Sequence, residues 1–306
     1  GYDLRDALAQ NSTVGESQAT LPPDIHPDTL SRMPRTKRED FSTEAEKQAY
    51  DWVIKNRPQQ LFQRWLGPTG TRLQFPVIAQ NYNQQIGFLH LDTGGIEPKY
   101  AELAISVATH ELNNQEEFLD HEADRLKFLG PKVDEILVKD LDPKGLEEKQ
   151  QVIIQFGREL FRKPIVSAPT FARMEKSFGR QGTLHITLYM CYYLANGLLV
   201  SRAYDQHLDT RPECKGHDTG CISANHPIPW TELRDGYNPL KHTSPQLSLT
   251  DKLPPDINPD TFSRMPRATR DEFTTDEDKA AYDRLFGSYT KLAVSKWLGP
   301  TGIRIH

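Results

Sequence analysis

The sequence predicts an all-α protein, and three observations support this class. Apolar residues recur at the spacing of a helical face in successive segments between residues 43 and 204. Residues that start or stop helices flank these segments, as where Thr43 and Glu46 form a capping-box pattern and Pro58 follows. The segment from Leu184 to Tyr204 is the most apolar of them, and we expect it to form the central helix of a bundle.

The predicted elements follow one another along the chain. Residues 1–20 are polar and lack periodicity, which predicts a flexible tail, and Leu21 to Arg35 is a proline-rich and aspartate-rich extended arm. Trp65 to Gly70 predicts a tight turn after a short helix. The further predicted helices are two between Gln74 and Leu112, one from Pro131 to about Lys139, one from about Leu146 to Arg162, one from Ser167 to Gly179, and one from Leu184 to Tyr204.

A polar corner interrupts the helical pattern between Glu102 and Gly130. We expect one helix to end there and a second to begin near Asn114. Glu117 and His121 lie four residues apart near the start of that second helix, so the pattern predicts side chains one turn apart on one face. A carboxylate beside an imidazole can exchange protons with a bound ligand.

The same corner also has a structural interpretation. Asn114 followed three residues later by Glu117 is a capping-box pattern, and Asn113 with Glu116 offers the same box one residue earlier. In that case Glu117 would only bind a free backbone N–H group, and His121 would be an ordinary surface or core residue. The spacing alone leaves both interpretations open.

A resemblance to a known family favours the functional interpretation. The segments Lys99-Tyr-Ala-Glu102-Leu-Ala-Ile, His110-Glu-Leu and Glu117-Phe-Leu-Asp-His121-Glu resemble the core motif of the carboxymuconolactone decarboxylase and AhpD-like superfamily. The resemblance covers residues 21–210 and implies an AhpD-like helical bundle. In the peroxidase branch of that family two cysteines precede the histidine, whereas this chain has Asn114 and Glu117 at those positions. The chain is therefore more similar to the decarboxylase-like branch, and peroxidase activity is not expected.

The resemblance implies a cofactor-independent acid–base enzyme of the lyase class. Its substrate would be a small unsaturated lactone or carbonyl acid, and its reaction a decarboxylation or a related isomerisation, dehydration or cyclisation. His121 is the expected proton donor because imidazole titrates near neutral pH, Glu117 would hold its tautomer, and Glu102 would support the pair. No metal or other cofactor is expected. The resemblance also implies a homo-oligomer, either a trimer or a multiple of one.

Two other functions remain as alternatives. The protein could be a non-catalytic, oligomeric helical scaffold in which the corner is a structural cap. A thiol peroxidase would require a reactive Cys191, but this residue lies in an apolar run and is predicted to be an inert core thiol.

The last predicted helix offers candidate substrate-binding residues. Tyr192 is preferred because the family often has a histidine near this position, and Tyr189 and His185 could also reach a ligand. Tyr193 also provides a hydroxyl donor and an aromatic face. The structural alternative is that each tyrosine packs in the core with its hydroxyl bonded locally.

A long internal repeat is the clearest pattern in the sequence. Leu21 to Gln74 recurs as Leu253 to His306 at a shift of 232 residues, with about half of the positions identical. The second copy contains no counterpart of Glu102 or His121, so we expect no second site in it. It could be a surface remnant of a duplication, or an arm that packs as the first copy does, including on a neighbouring subunit. Packing is favoured, because its apolar residues would otherwise form an exposed patch.

The remaining features set limits on partners and location. The net charge of −5 and the lack of a Lys/Arg run give no reason to expect nucleic acid or a membrane surface as a partner, and no apolar stretch approaches the length of a membrane span. We expect a cytoplasmic protein, although the sequon at Asn11 would be meaningful in a secreted one. Residues 211–252 are predicted to be a linker loop. This loop contains a cluster of four possible ligands: Cys214, His217, Cys221 and His226. The cluster could bind zinc, form a Cys214–Cys221 disulfide, or consist of free surface residues, and the last alternative is favoured.

Overall fold

A computed structural model of the chain describes residues 23–57, 67–90, 96–112, 114, 117–118, 121–204, 253–259, 261 and 263–288. The predictions for the tail at residues 1–20, for the linker with Cys214 and Cys221, and for the last part of the repeat lie outside these residues.

The all-α class is confirmed, because the described residues form helices and contain no strand. Two isolated β-bridges are the only extended pairings recorded among them. A π-helical turn, Leu198–Ala203, continues the eighth helix. The helices are α1 (Glu44–Asn56), α2 (Gly67–Arg72), α3 (Pro76–His90), α4 (Pro98–Glu111), α5 (Glu122–Leu129), α6 (Pro131–Val138), α7 (Glu148–Arg162), α8 (Ala168–Gly197) and α9 (Asp276–Ser288).

The central helix of the bundle is α4. Every residue from Tyr100 to Thr109 is buried, and α4 packs against both α7 and α8. Gly157 of α7 allows this close packing, because a Cβ atom there would overlap Cγ1 of Val107 and lie 3.0 Å from Cε of Met190. The prediction that residues 184–204 form the central helix is therefore wrong.

Helix α8 lies at the side of the bundle and keeps one face in solvent. Cys191 is exposed, so the prediction that it is an inert core thiol is also wrong. The apolar composition of this segment did not show which of its residues would be covered. The predicted break near Gly179 is present as a kink, where this glycine adopts a φ of 68° inside the helix.

The segment predicted as a tight turn at Trp65 to Gly70 is helical from Gly67 onward, since α2 extends to Arg72. Pro68 is compatible with a helix start, because the first turn of a helix does not need the N–H group that proline lacks. This short helix contacts α3 and the π-helical turn after α8. It therefore places Arg72 next to the C-terminal part of α8.

Two arms have matching local contacts at an offset of 232 residues. The first arm comprises residues 23–41, and the second arm comprises the described residues of 253–273. Each arm contains one β-bridge, one internal arginine–aspartate ion pair and one short 3₁₀ helix. These contacts are the bridges His26–Ser31 and Asn258–Ser263, the ion pairs Arg32–Asp24 and Arg264–Asp256 at 2.7 Å each, and the 3₁₀ helices Arg38–Asp40 and Arg270–Glu272.

The equivalent arginine of each arm binds the bundle at a different place. Nη1 of Arg32 donates to the carbonyl of Ala203 at 3.3 Å, just after α8. Nη1 of Arg264 donates to the carbonyl of Val166 at 2.8 Å, between α7 and α8, and its guanidinium lies 5.1 Å from the ring centroid of Phe171. Both arms therefore contact backbone carbonyls that lie beyond a helix end.

Candidate functional site

The corner between α4 and α5 differs from the expected capping box. The backbone N–H of Asn114, which such a box would require, donates instead to the carbonyl of Thr109 at 2.9 Å. Helix α5 begins only at Glu122, and His121 is its N-cap residue. Helical backbone is nevertheless present before α5, because Glu117 and Phe118 are helical and the N–H of Phe118 donates to the carbonyl of Asn114 at 3.1 Å, in agreement with a helix that begins near Asn114. The backbone N–H of His121 donates to the carbonyl of Glu117 at 3.2 Å, which is the hydrogen bond of one helical turn, so the two residues are one turn apart.

His121 lies between an acid from α4 and a phenol from α8. Its Nδ1 atom lies 3.2 Å from both carboxylate oxygens of Glu102, and its Nε2 atom lies 3.0 Å from Oη of Tyr193. The rings of His121 and Tyr193 meet edge to face, with centroids 5.3 Å apart and an interplanar angle of 82°. We call these three residues the relay. Two predicted catalytic residues, Glu102 and His121, are therefore in direct contact.

The relay is shielded from solvent. Glu102 is 6% exposed, Tyr193 is 4% exposed, and the side chain of His121 is 17% exposed. A buried carboxylate that faces Nδ1 favours the tautomer in which Nδ1 carries the proton and donates it to Glu102. The Nε2 lone pair then accepts the hydroxyl proton of Tyr193, so the imidazole can pass a proton between the two.

Glu117, the third predicted catalytic residue, is buried and binds a residue of α8. Its carboxylate is 5% exposed, and its Oε1 atom accepts a hydrogen bond from Nδ2 of Asn196 at 3.2 Å. The carboxylate on Nδ1 of His121 belongs to Glu102, which reaches the imidazole from another helix. Glu102 is thus placed to hold the imidazole tautomer, and the role of Glu117 in the pair stays a prediction.

A second polar group adjoins the relay and is centred on Arg72. Its Nη2 atom donates to Oδ1 of Asn196 at 2.5 Å, and its Nη1 atom lies 3.5 Å from Oη of Tyr192. The guanidinium also lies 4.1 Å from the ring centroid of Tyr82. Burial raises the pKa of the Tyr192 phenol and the charge of Glu117 adds to this, while Arg72 acts in the opposite direction.

The three predicted substrate-binding residues fall into two groups. Tyr192 is next to Arg72, as described above. Tyr189 and His185 stack on each other in the core, with ring centroids 5.2 Å apart and an interplanar angle of 1°. Burial raises the pKa of the Tyr189 phenol, and the charge of Glu102 raises it further.

Sequence reasoning did not select three residues of this site. Tyr193 was recognised as a donor but not chosen, and Asn196 and Arg72 were missed. One signal was present: Tyr189, Tyr193 and Asn196 recur at helical spacing within an apolar segment. Arg72 gave no comparable signal, because the segment before it was interpreted as a turn.

The described residues contain no group of three His, Cys, Asp or Glu side chains arranged to hold a metal ion. In the same part of the chain, none of the helices has both the length and the apolar character needed to cross a membrane. Comparisons with the sequence models of protein families, with curated proteins and with solved structures find no match. Fold and site thus define an all-α protein with a buried Glu–His–Tyr hydrogen-bonded chain.

Proposed function

We propose that this protein is a cofactor-independent acid–base enzyme that moves a proton on a small unsaturated lactone or carbonyl acid. The observation that carries the proposal is the buried relay, in which Glu102 and Tyr193 contact the two nitrogens of His121. A carboxylate, an imidazole and a phenol in sequence form a path along which a proton can be taken up and returned.

The chemistry follows from the partners of His121. Tyr193 passes its hydroxyl proton to Nε2 of His121 and takes a proton from the substrate carbon, while Glu102 stabilises the imidazolium that forms. In the reverse direction Tyr193 gives its proton to carbon and regains one from Nε2–H of this imidazolium. In an isomerisation, the relay removes a proton from one carbon and returns it to another through a dienolate. In a decarboxylation, the carbon–carbon bond to the carboxylate breaks, its electron pair forms the dienolate, and the relay supplies the proton that replaces carbon dioxide.

The wider proposal places the chain in the decarboxylase-like branch of the carboxymuconolactone decarboxylase and AhpD-like superfamily. It is supported by the contact between Glu102 and His121, two of the residues that carry the resemblance to the family motif. An AhpD-like bundle with a partial C-terminal repeat, a homo-oligomer based on three subunits and a cytoplasmic location belong to this proposal.

Hydrogen–deuterium exchange tests the proposed chemistry without knowledge of the natural substrate. A butenolide that bears a carboxylate is incubated with the protein in D₂O, and the loss of its carbon-bound protons is followed by NMR. We expect exchange above the buffer rate, and His121→Gln should slow it about 100-fold or more, the usual contribution of a general acid or base.

His26→Gln is the matched control, because His26 is exposed on the first arm. It should exchange at the parent rate. Exchange at the buffer rate in the parent protein, or an equal rate in His121→Gln, would rule out the proposed function and favour a structural role for the corner.

A further inference from the structure

Arg72 is a buried cation whose partners are all neutral. It is 8% exposed, and its guanidinium is held by the amide oxygen of Asn196, the hydroxyl of Tyr192 and the aromatic face of Tyr82. Within the part of the chain that the structure describes, no carboxylate oxygen comes within 4.0 Å of its nitrogens. Glu117 is the nearest acid in this network and is separated from Arg72 by the side chain of Asn196.

This arrangement is unusual on energetic grounds. A buried charge is costly unless an opposite charge or several hydrogen bonds replace the lost hydration. A guanidinium has five N–H donors, and the amide oxygen and the hydroxyl occupy few of them. Cation–π contact with Tyr82 offsets part of the cost and fixes the plane of the guanidinium. The remaining donors can bind an anion that comes from outside the protein.

The position of Arg72 relates this anion site to the relay. Asn196, which holds Arg72, lies one helical turn after Tyr193 on α8, so the two side chains are neighbours about 5–6 Å apart at their Cβ atoms. Tyr192 and Tyr193 also meet edge to face, with ring centroids 5.5 Å apart. An anion on Arg72 would therefore place the adjoining part of a small molecule against the relay.

We propose that Arg72 binds the carboxylate of a small organic acid and holds that molecule with its reacting carbon at Tyr193 and His121. Arginine is suited to this role because its planar fork can bind both oxygens of a carboxylate. The inference rests on the proposed function for the identity of the reacting group. It adds the anchor and the charge that the substrate must carry.

The anchor also restricts the reaction. An ion pair with Arg72 stabilises the carboxylate of the ground state, which opposes the loss of that same group as carbon dioxide. The carboxylate on Arg72 is therefore retained in the product. A monocarboxylate would undergo proton transfer or isomerisation only, whereas decarboxylation would require a second carboxylate placed at the relay.

Titration calorimetry on the full chain tests the anchor with defined probes. The probes are crotonate, the dicarboxylate glutaconate, and crotonamide, which has the shape of crotonate without its charge. We expect the parent protein to bind at least one carboxylate probe about tenfold or more tightly than crotonamide, because the amide cannot form an ion pair. Added salt should weaken only the carboxylate binding. Equal affinities for charged and uncharged probes, or no binding of either carboxylate, would overturn the proposal.

Variants locate the site. Arg72→Gln keeps a hydrogen-bond donor but removes the charge, and it should lose the preference for carboxylates, while Arg72→Lys should retain part of it. Arg57→Gln is the matched control, because Arg57 is a half-buried arginine that binds Asn83 and lies outside this network. Unchanged carboxylate binding by a folded Arg72→Gln would overturn the proposal, because the anion would then be bound elsewhere. If that variant does not fold, the comparison of the carboxylate probes with crotonamide on the parent protein still tests whether an anion site exists.

A further variant separates this inference from the proposed function. His121→Gln should bind the carboxylate probes as the parent does while losing proton exchange. Carboxylate binding at Arg72 without proton exchange in the parent would refute the relay chemistry and keep the anchor. Proton exchange without a preference for carboxylates would refute the anchor and keep the relay chemistry.

Discussion

Nδ1 of His121 faces the carboxylate of Glu102, at 3.2 Å from each of its oxygens. Glu102 is fixed in the middle of the most buried helix, whereas His121 is the N-cap of α5. The contact is therefore tertiary and depends on how the corner folds back onto α4. Arg125 stabilises this corner, because its buried guanidinium donates to the carbonyl of Phe118 and to Asp134 at 2.7 Å each.

Glu102 and Glu117 should have different effects on the tautomer of the His121 imidazole. Glu102→Gln removes the charge that favours a proton on Nδ1, so we expect the ¹⁵N shifts of His121 at neutral pH to indicate more of the Nε2-protonated tautomer. Glu117→Gln should leave these shifts close to those of the parent, because its carboxylate binds Asn196. A change of tautomer in Glu117→Gln alone would contradict the conclusion that Glu102 holds the tautomer of His121.

Tyr193 should contribute to catalysis through its hydroxyl. Tyr193→Phe keeps the edge-to-face contact with His121 but removes the donor to Nε2, so we expect the exchange rate of the butenolide carboxylate to fall about 100-fold with little change in its KM. Tyr100→Phe is the control, since Tyr100 is a buried tyrosine of α4 that packs against Phe178. Equal rates in the two variants would exclude Tyr193 from the relay.

Glu159 should make stability depend on acid pH. Burial alone would raise its pKa, but hydrogen bonds from Ser167, Lys163 and Thr170 outweigh this and lower the pKa to about 2. An unfolded glutamate titrates near pH ~4.3. The stabilisation by Glu159 is therefore complete above that pH and is lost as the pH falls toward 2.

Urea unfolding across this pH range measures the effect. Glu159→Gln should lower the free energy of unfolding by about 1–3 kcal/mol at pH 7, and the difference from the parent should vanish near pH 2. Glu148→Gln is a control on the same helix, because its ion pair with Arg173 is exposed, and its effect should stay within about 0.5 kcal/mol. A difference for Glu159→Gln that is the same at every pH would refute the assignment.

Gly157 should be required for the close approach of three helices. Alanine favours a helix by about 1 kcal/mol over glycine, but a Cβ at Gly157 would overlap Val107, and overpacking of a core costs about 1–3 kcal/mol. We expect Gly157→Ala to lower the free energy of unfolding. Gly87→Ala should raise it by up to about 1 kcal/mol, since the nearest atom to its Cβ would be Nη2 of Arg57 at 3.8 Å. Denaturant unfolding of both variants tests the comparison.

The helices of the bundle could be predicted where local signals and burial agree. The capping box of Thr43, the helix start at Ser167 and the apolar faces of α1 and α7 are features of short segments, and the structure contains them. Which helix lies at the centre could not be predicted in this way. Residues 184–204 have the greater apolar content, but α4 is the helix that packs between two others.

The site was predictable in its residue types and less so in its pairings. Glu102 and His121 were chosen from a motif, and their contact fits that choice. Glu117 was paired with His121 from the spacing of one helical turn, and the backbone bond of that turn is present, but the side chain of Glu117 also binds Asn196 of α8, which the spacing does not show. Tyr193, Asn196 and Arg72 enter the site through contacts between helices that sequence spacing does not record.

The hydrogen bond from Arg32 to the carbonyl of Ala203 joins residues that are 171 positions apart. Fraying in most domains begins at loosely held terminal segments. Here the first arm is bound to the end of α8, so neither can open without breaking a contact with the other. We therefore expect the earliest and latest parts of residues 23–204 to open together rather than independently.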